Sequence, residues 1–184
     1  MRMKLFTSVL LVGSFMLVNC RDSQHVQEEL LTEEEIKIEK QAIVDVLKTY
    51  HEAANEKNWA KMVTTLDKEV TFFGSDSGEV SRNFDDFKKS MQSQWDEYET
   101  FEYGQIQDIY IQLDDYARYA NVIYGIPLKF GKKGEPLQHF FMVVQRTLKK
   151  TPVHKNWVIQ SGILAVSRHD NTSASTKPDK KDKK

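Results

Sequence analysis

Apolar residues recur along this chain with two different periods, and the change falls near residue 100. In the first part Ile36, Ile43, Val46, Leu47, Tyr50 and Ala54 return near helical spacing and form one apolar stripe. Thr32 followed three residues later by Glu35 fits a capping box, and Glu33 and Glu34 suit the positive end of a helix dipole. A long helix is therefore predicted from Thr32. Asn55-Glu56-Lys57-Asn58 breaks the stripe, and a second helix is predicted with Trp59, Met62, Val63 and Leu66 on one side. Val70-Thr71-Phe72-Phe73 reads as a strand, Gly74-Ser75-Asp76-Ser77-Gly78 as a turn, and Glu79-Val80-Ser81 as a short returning strand. Asn83 is placed to cap a third helix, with Asp85 and Asp86 in its first turn and Phe84, Phe87, Met91 and Trp95 along one face.

Beyond Phe101 the period becomes two. Ile109, Ile111 and Leu113 share one face of a strand, with Ile106 out of phase, which predicts a bulge near Gln107-Asp108. Val122, Tyr124, Ile126, Leu128 and Phe130 share one face of the next strand. Two further strands are predicted over 137–148 and 157–166, so that four long strands joined by short turns make an antiparallel meander. The last two are apolar on both sides: Phe140, Met142 and Val144 alternate with Phe141 and Val143, and Trp157, Ile159 and Ile163 are set against Val158, Leu164 and Val166. Helices can cover only one side of such a sheet. A second copy of the chain is the expected cover for the other.

The two ends have a different character. Arg2 and Lys4 precede an apolar run over 5–18 that is too short, and too soon followed by charge, for a membrane span. Residues 1–19 read as a secretory signal. Leu17-Val18-Asn19-Cys20 is similar to a bacterial lipobox, although Asn19 stands where a small residue is usual. Cys20 is thus the expected lipidation site and would hold the protein on a membrane at the cell envelope, outside the cytoplasm. The division expected is 1–19 signal, 20–31 polar tether carrying His25, 32–167 folded domain, and 168–184 a charged tail without apolar periodicity.

Charge and composition narrow the chemistry. Lys and Arg number 26 against 27 Asp and Glu, a balance that leaves no footprint for nucleic acid. Cys20 is the single cysteine, so an internal disulfide and a thiolate metal site are excluded. His25, His51, His139, His154 and His169 are scattered without ligand spacing, and neither metal nor cofactor is expected.

The order helix, helix, strand, strand, helix, then four strands resembles the SnoaL-like, nuclear transport factor 2-like superfamily. So do Tyr50 with Ala53-Ala54, the turn from Gly74 to Glu79, Gln145-Arg146-Thr147, and Asn156-Trp157-Val158-Ile159. The resemblance spans residues 35–167 and implies an α+β cone: N-terminal helices on a strongly curved, mostly antiparallel sheet, enclosing a cavity. The His-x-Ser ending of many members is replaced by Ser161-Gly162-Ile163-Leu164-Ala165. Among the resembling ketosteroid isomerases, the tyrosine donor falls on Tyr50, the aspartate base on Gly74 and the second oxyanion donor near Gln138-His139. Glycine accepts no proton, so no catalytic residue is assigned.

Candidates to line the cavity are Tyr50, Trp59, Phe73, Trp95, Tyr124, His139 and Arg146, aromatic bodies with polar edges that suit a small apolar ligand. Core packing is the alternative role for the aromatic members. His51 is expected to face solvent. Arg146, inside an apolar strand, requires a carboxylate or an exposed side; Asp76, Glu79 or a ligand anion are the choices, with a salt bridge at the sheet edge the expected one. The reading that results is an envelope-anchored, non-catalytic ligand-binding or interaction domain. The alternatives are an isomerase, cyclase or dehydratase-type enzyme, and a structural subunit with a filled core.

Overall fold

The computed structural model describes residues 30–75 and 78–167. The leader, Cys20, most of the tether, Asp76 and the charged tail lie outside the described residues. Helix α1 spans Glu33–Asn55 and starts with the predicted capping box. The Thr32 hydroxyl accepts from Glu35 N at 3.3 Å, and the Glu35 carboxylate accepts from Thr32 N at 2.8 Å. Its buried stripe is Ile43, Leu47, Tyr50, His51, Ala53 and Ala54.

Helix α2, Trp59–Val63, is shorter than predicted. Thr64 and Thr65 end it: their hydroxyls each donate at 2.7 Å to the carbonyls of Lys61 and Met62, and β-branched residues favour extended backbone. Leu66 therefore opens strand β1, Leu66–Phe73, instead of closing the helix. Strand β2, Val80–Ser81, pairs back on β1. Helix α3, Phe84–Glu97, begins where Asn83 Oδ1 accepts from Asp86 N at 2.9 Å, and it buries Phe87, Met91 and Trp95.

The stretch after α3, read from sequence as one strand, divides into β3, Thr100–Tyr103, and β4, Gln107–Leu113. Both pair with β5, Tyr119–Gly131, at opposite ends. The break has a local cause. Gly104 packs against the Pro127 ring, its N–H donates to Pro127 O at 2.8 Å, and the predicted irregularity follows at Gln107, with Asp108 at positive φ. Strands β6, Gln138–Lys150, and β7, Trp157–Ser167, continue the antiparallel meander.

The sheet order is β2-β1-β7-β6-β5-β3, with β4 also on β5. Strand β1 runs parallel to β7, the one parallel pairing among the described strands. The helices pack on a strongly curled, mostly antiparallel half-barrel, the α+β architecture expected. Alternation places Val122, Tyr124 and Ile126 of β5, and Met142, Val144, Arg146 and Leu148 of β6, on the concave side. In β7 an irregularity between the Leu148–Ile159 and Thr147–Ser161 pairs reverses the alternation. Gly162 and Leu164 then face inward with Trp157 and Ile159, and Ile163 turns outward; the sequence grouping of Ile163 with Trp157 is corrected by that bulge.

On the convex side Phe73, Ile163, Gln145, Ile123 and Tyr110 are consecutive cross-strand partners. Four of the five are large and apolar, and all four are well exposed.

Candidate functional site

The concave face has a roofed end and an open end. At the open end lies a cavity of about 640 Å³ whose apolar wall is Phe101, Leu128, Phe130, Phe140, Met142 and Leu164. Gln94 and Tyr98 of the α3 end, Tyr103, Ser75 and Glu79 supply its polar edge. Two side chains from the end of α1 fix this mouth. Asn55 holds Tyr103 as a neighbouring strand would: Tyr103 N donates to Asn55 Oδ1 at 2.7 Å, and Asn55 Nδ2 donates to Tyr103 O at 2.9 Å. Lys57, in left-handed backbone just past α1, donates Nζ to Trp95 O at 2.7 Å and Tyr98 O at 2.8 Å, satisfying carbonyls at the end of α3.

Glu79 sits over Gly74. A Cβ on Gly74 would lie 2.2 Å from Glu79 Oε2, so the carboxylate occupies the space a side chain at position 74 would fill.

The roofed end contains a polar cluster drawn from four elements. His51 Nε2 lies 2.8 Å from Tyr124 Oη, and its ring centroid is 4.5 Å from that of Tyr103 and 5.1 Å from that of Tyr50. Arg146 is 1% exposed. Its guanidinium carbon lies 4.7 Å from the Phe72 ring centroid and 5.6 Å from that of Tyr50. Room for it comes from Gly162, the cross-strand partner of Arg146, where a Cβ would fall 2.0 Å from Nη1. Nη1 has one long contact, 3.4 Å to Gln145 O, and the guanidinium also meets the hydroxyls of Tyr50 and Tyr124; among the described residues neither Nε nor His51 Nδ1 has a partner.

Burial and the guanidinium set the protonation of this cluster. Desolvation, then the Arg146 charge, holds His51 well below the ordinary imidazole value, so it is neutral at pH 7. Burial raises Tyr50 and Tyr103, and lifts Tyr124 to about 12, with Arg146 opposing the rise in each case. The phenols thus remain protonated donors, and none neutralises the arginine. Cation–π contact with two rings offsets part of the cost of burying the charge.

The candidates from sequence separate into groups. Tyr50, Tyr124 and Arg146 come together in the roofed cluster. Trp59 is half-buried against Phe84 and Phe87, with centroids at 5.4 and 6.2 Å, under Lys88. Trp95 is buried in the core, and its Nε1 has no partner among the described residues. Phe73 and His139 do not face the interior. Phe73 is 51% exposed because Val70 and Phe72 take the concave positions of β1, and the odd-numbered residues of β6 from His139 to Gln145 face outward.

The salt bridge expected for Arg146 at the sheet edge is replaced by full burial, and no carboxylate among the described residues lies within 4 Å of it. His51, expected in solvent, is 4% exposed. The spacing Leu47, Tyr50, His51, Ala54 carried that signal, being i, i+3, i+4 and i+7 of the buried stripe. Tyr103 escaped the sequence reading because its place depends on a strand break; Glu79, named there as a partner for Arg146, stands against Gly74 on the cavity rim instead.

Comparison with known proteins agrees with this architecture. A family model for the SnoaL-like domain matches residues 43–161, and the chain belongs to that family. No curated protein matches it. Among solved structures, a ketosteroid isomerase-like protein from Erwinia carotovora is similar at 14% identity and TM-score 0.59, over 73% of this chain and 98% of that one. A hexachlorocyclohexane dehydrochlorinase from Novosphingobium barchaimii is similar at 8% identity and TM-score 0.65, over 74% and 91%. A nuclear transport factor 2-like superfamily protein from Salmonella enterica is similar at 11% identity and TM-score 0.62, over 76% and 98%. At these identities the likeness establishes the fold.

Proposed function

We propose that this is an envelope-anchored binding domain that takes a small, mainly apolar ligand into the open end of its cone and does no chemistry on it. The cavity carries the reading: about 640 Å³ beside six apolar side chains, within the range that holds small organic ligands. The anchor rests on Cys20 following an apolar run. A second copy of the chain covers the convex row of Phe73, Ile163, Ile123 and Tyr110 in this proposal, because a two-fold axis matches such a patch to itself. Native mass spectrometry of the protein purified from its own host tests all three parts. The expected result is a dimer with a retained small molecule and an acylated Cys20 as first residue; a ligand-free monomer starting elsewhere contradicts the proposal.

One observation favours a second reading, an isomerase or dehydratase-type enzyme. The resemblance puts a proton acceptor at position 74, and Glu79 brings a carboxylate to that place on the cavity rim. Exchange of α-protons of a cyclic ketone into heavy water, followed by NMR, separates the readings. Exchange that vanishes in Glu79→Gln supports the enzyme; a rate equal to buffer supports the binding domain.

A further inference from the structure

The closed end of the cone holds a charge that meets two phenols but no carboxylate among the described residues. Arg146 is 1% exposed, the described residues place no carboxylate within 4 Å of it and no partner on Nε, and the phenols and imidazole around it are neutral. A guanidinium taken fully out of water calls for an anion. The site is shaped for it: the side chain lies over Gly162, where any Cβ would collide with Nη1, and one of its faces rests on Phe72.

This charge lies next to the cavity. Gly162 and Leu164 are successive inward positions of β7, about 7 Å apart by strand geometry, and Leu164 is on the cavity wall. Between them and the cluster stands Tyr103, whose ring lines the cavity on one side and lies 4.5 Å from His51 on the other. Tyr103 belongs to a four-residue strand at the end of the sheet order, and Asn55 holds its main chain.

We propose that the cavity binds an amphipathic carboxylic acid: the carboxylate pairs with Arg146 after the Tyr103 ring swings aside, and the apolar body lies against Phe101, Leu128, Phe140 and Met142. The phenol oxygens of Tyr50 and Tyr124 accept from the guanidinium and hold it in place beside the cavity. This inference rests on the cavity reading above and adds the chemical class of the ligand.

The test uses the full chain carrying Cys20→Ser, so that no lipid competes, titrated with phenylbutanoate and with phenylbutanol. The acid is expected to bind at least about tenfold more tightly, the ratio set by one charge-assisted hydrogen-bonded pair. Arg146→Met is expected to remove that preference, so that acid and alcohol bind alike. Where that variant fails to fold, the wild-type Arg146 Nε–H resonance in an arginine-¹⁵N sample decides: it moves with the acid and not with the alcohol.

Equal affinity for acid and alcohol overturns the inference and leaves the cavity reading standing. Binding of neither compound removes both. A preference that survives in Arg146→Met, or an Nε–H resonance unmoved by the acid, also overturns it. So does a resonance that shifts with formate alone, which would assign the site to a small free anion.

Discussion

The two ends of the concave face are made from the same strands, yet one is packed and the other is open. At the roofed end Leu47, Ile43, Val144 and Leu148 are fully buried between α1 and the sheet. A few residues along the same strands, Leu128, Phe130 and Phe140 are only partly covered and border the cavity. The side chains are similar in kind, so hydrophobicity does not make the difference. Coverage does: α1 lies over one end, whereas α3 is tied by Lys57 and stops at the rim of the other. Such a sheet can place rigidity and vacancy side by side, with a polar cluster at the boundary.

The comparison is sharpened most by Gly162→Val. Its Cβ would meet Arg146 Nη1 at 2.0 Å and the Phe72 ring at 2.7 Å. Overpacking against a buried charge is expected to cost more than about 4 kcal/mol, read as a collapse in the urea midpoint or in soluble yield. Paired truncations come next. Leu47→Ala at the roofed end is expected to cost about 3 kcal/mol, and Leu128→Ala at the open end about 1 kcal/mol, by urea unfolding. Equal costs would erase the distinction between the ends.

The roofed end adds a pH dependence of its own to stability. His51 faces Tyr50, Tyr103, Tyr124 and Arg146 and has a folded pKa well below 6.5. Below that ordinary value the unfolded chain takes up a proton that the folded chain refuses, so this contribution is complete above pH 6.5 and is lost as pH falls towards the folded pKa. The slope approaches about 1.4 kcal/mol per pH unit for one proton. Urea midpoints from pH 7.5 to 5.5 should fall in the wild type and flatten in His51→Gln. The smallest effect is an enlargement at the mouth: Leu128→Phe has room to enter and should change stability by no more than about 0.5 kcal/mol, while weakening ligand binding.

Local rules carried much of the fold. The Thr32–Glu35 capping box, the Asn83 cap, the alternation along β5 and the irregularity at Gln107 are each written in adjacent residues. What could not be read is set at long range. The placement of β1 beside β7 in parallel decides that Leu66 is strand, and the bulge in β7 decides which way Ile163 faces. Of the site, Tyr50, Tyr124 and Arg146 were legible as residues with both apolar and polar character. Their assembly around His51 was not, because it needs α1, β3, β5 and β6 to converge. Parity alone could have excluded Phe73 and His139.

The claim on which the account turns is that a ligand enters at the open end and lays its apolar body there, against Met142 and its neighbours. Methyl-labelled methionine reports on it directly, since Met142 is on the cavity wall and Met62 is in the core under α1. Titration with phenylbutanol is predicted to shift the Met142 methyl resonance and leave that of Met62 in place. A Met142 resonance that stays still at saturating ligand, or one that moves only together with Met62, would contradict the account.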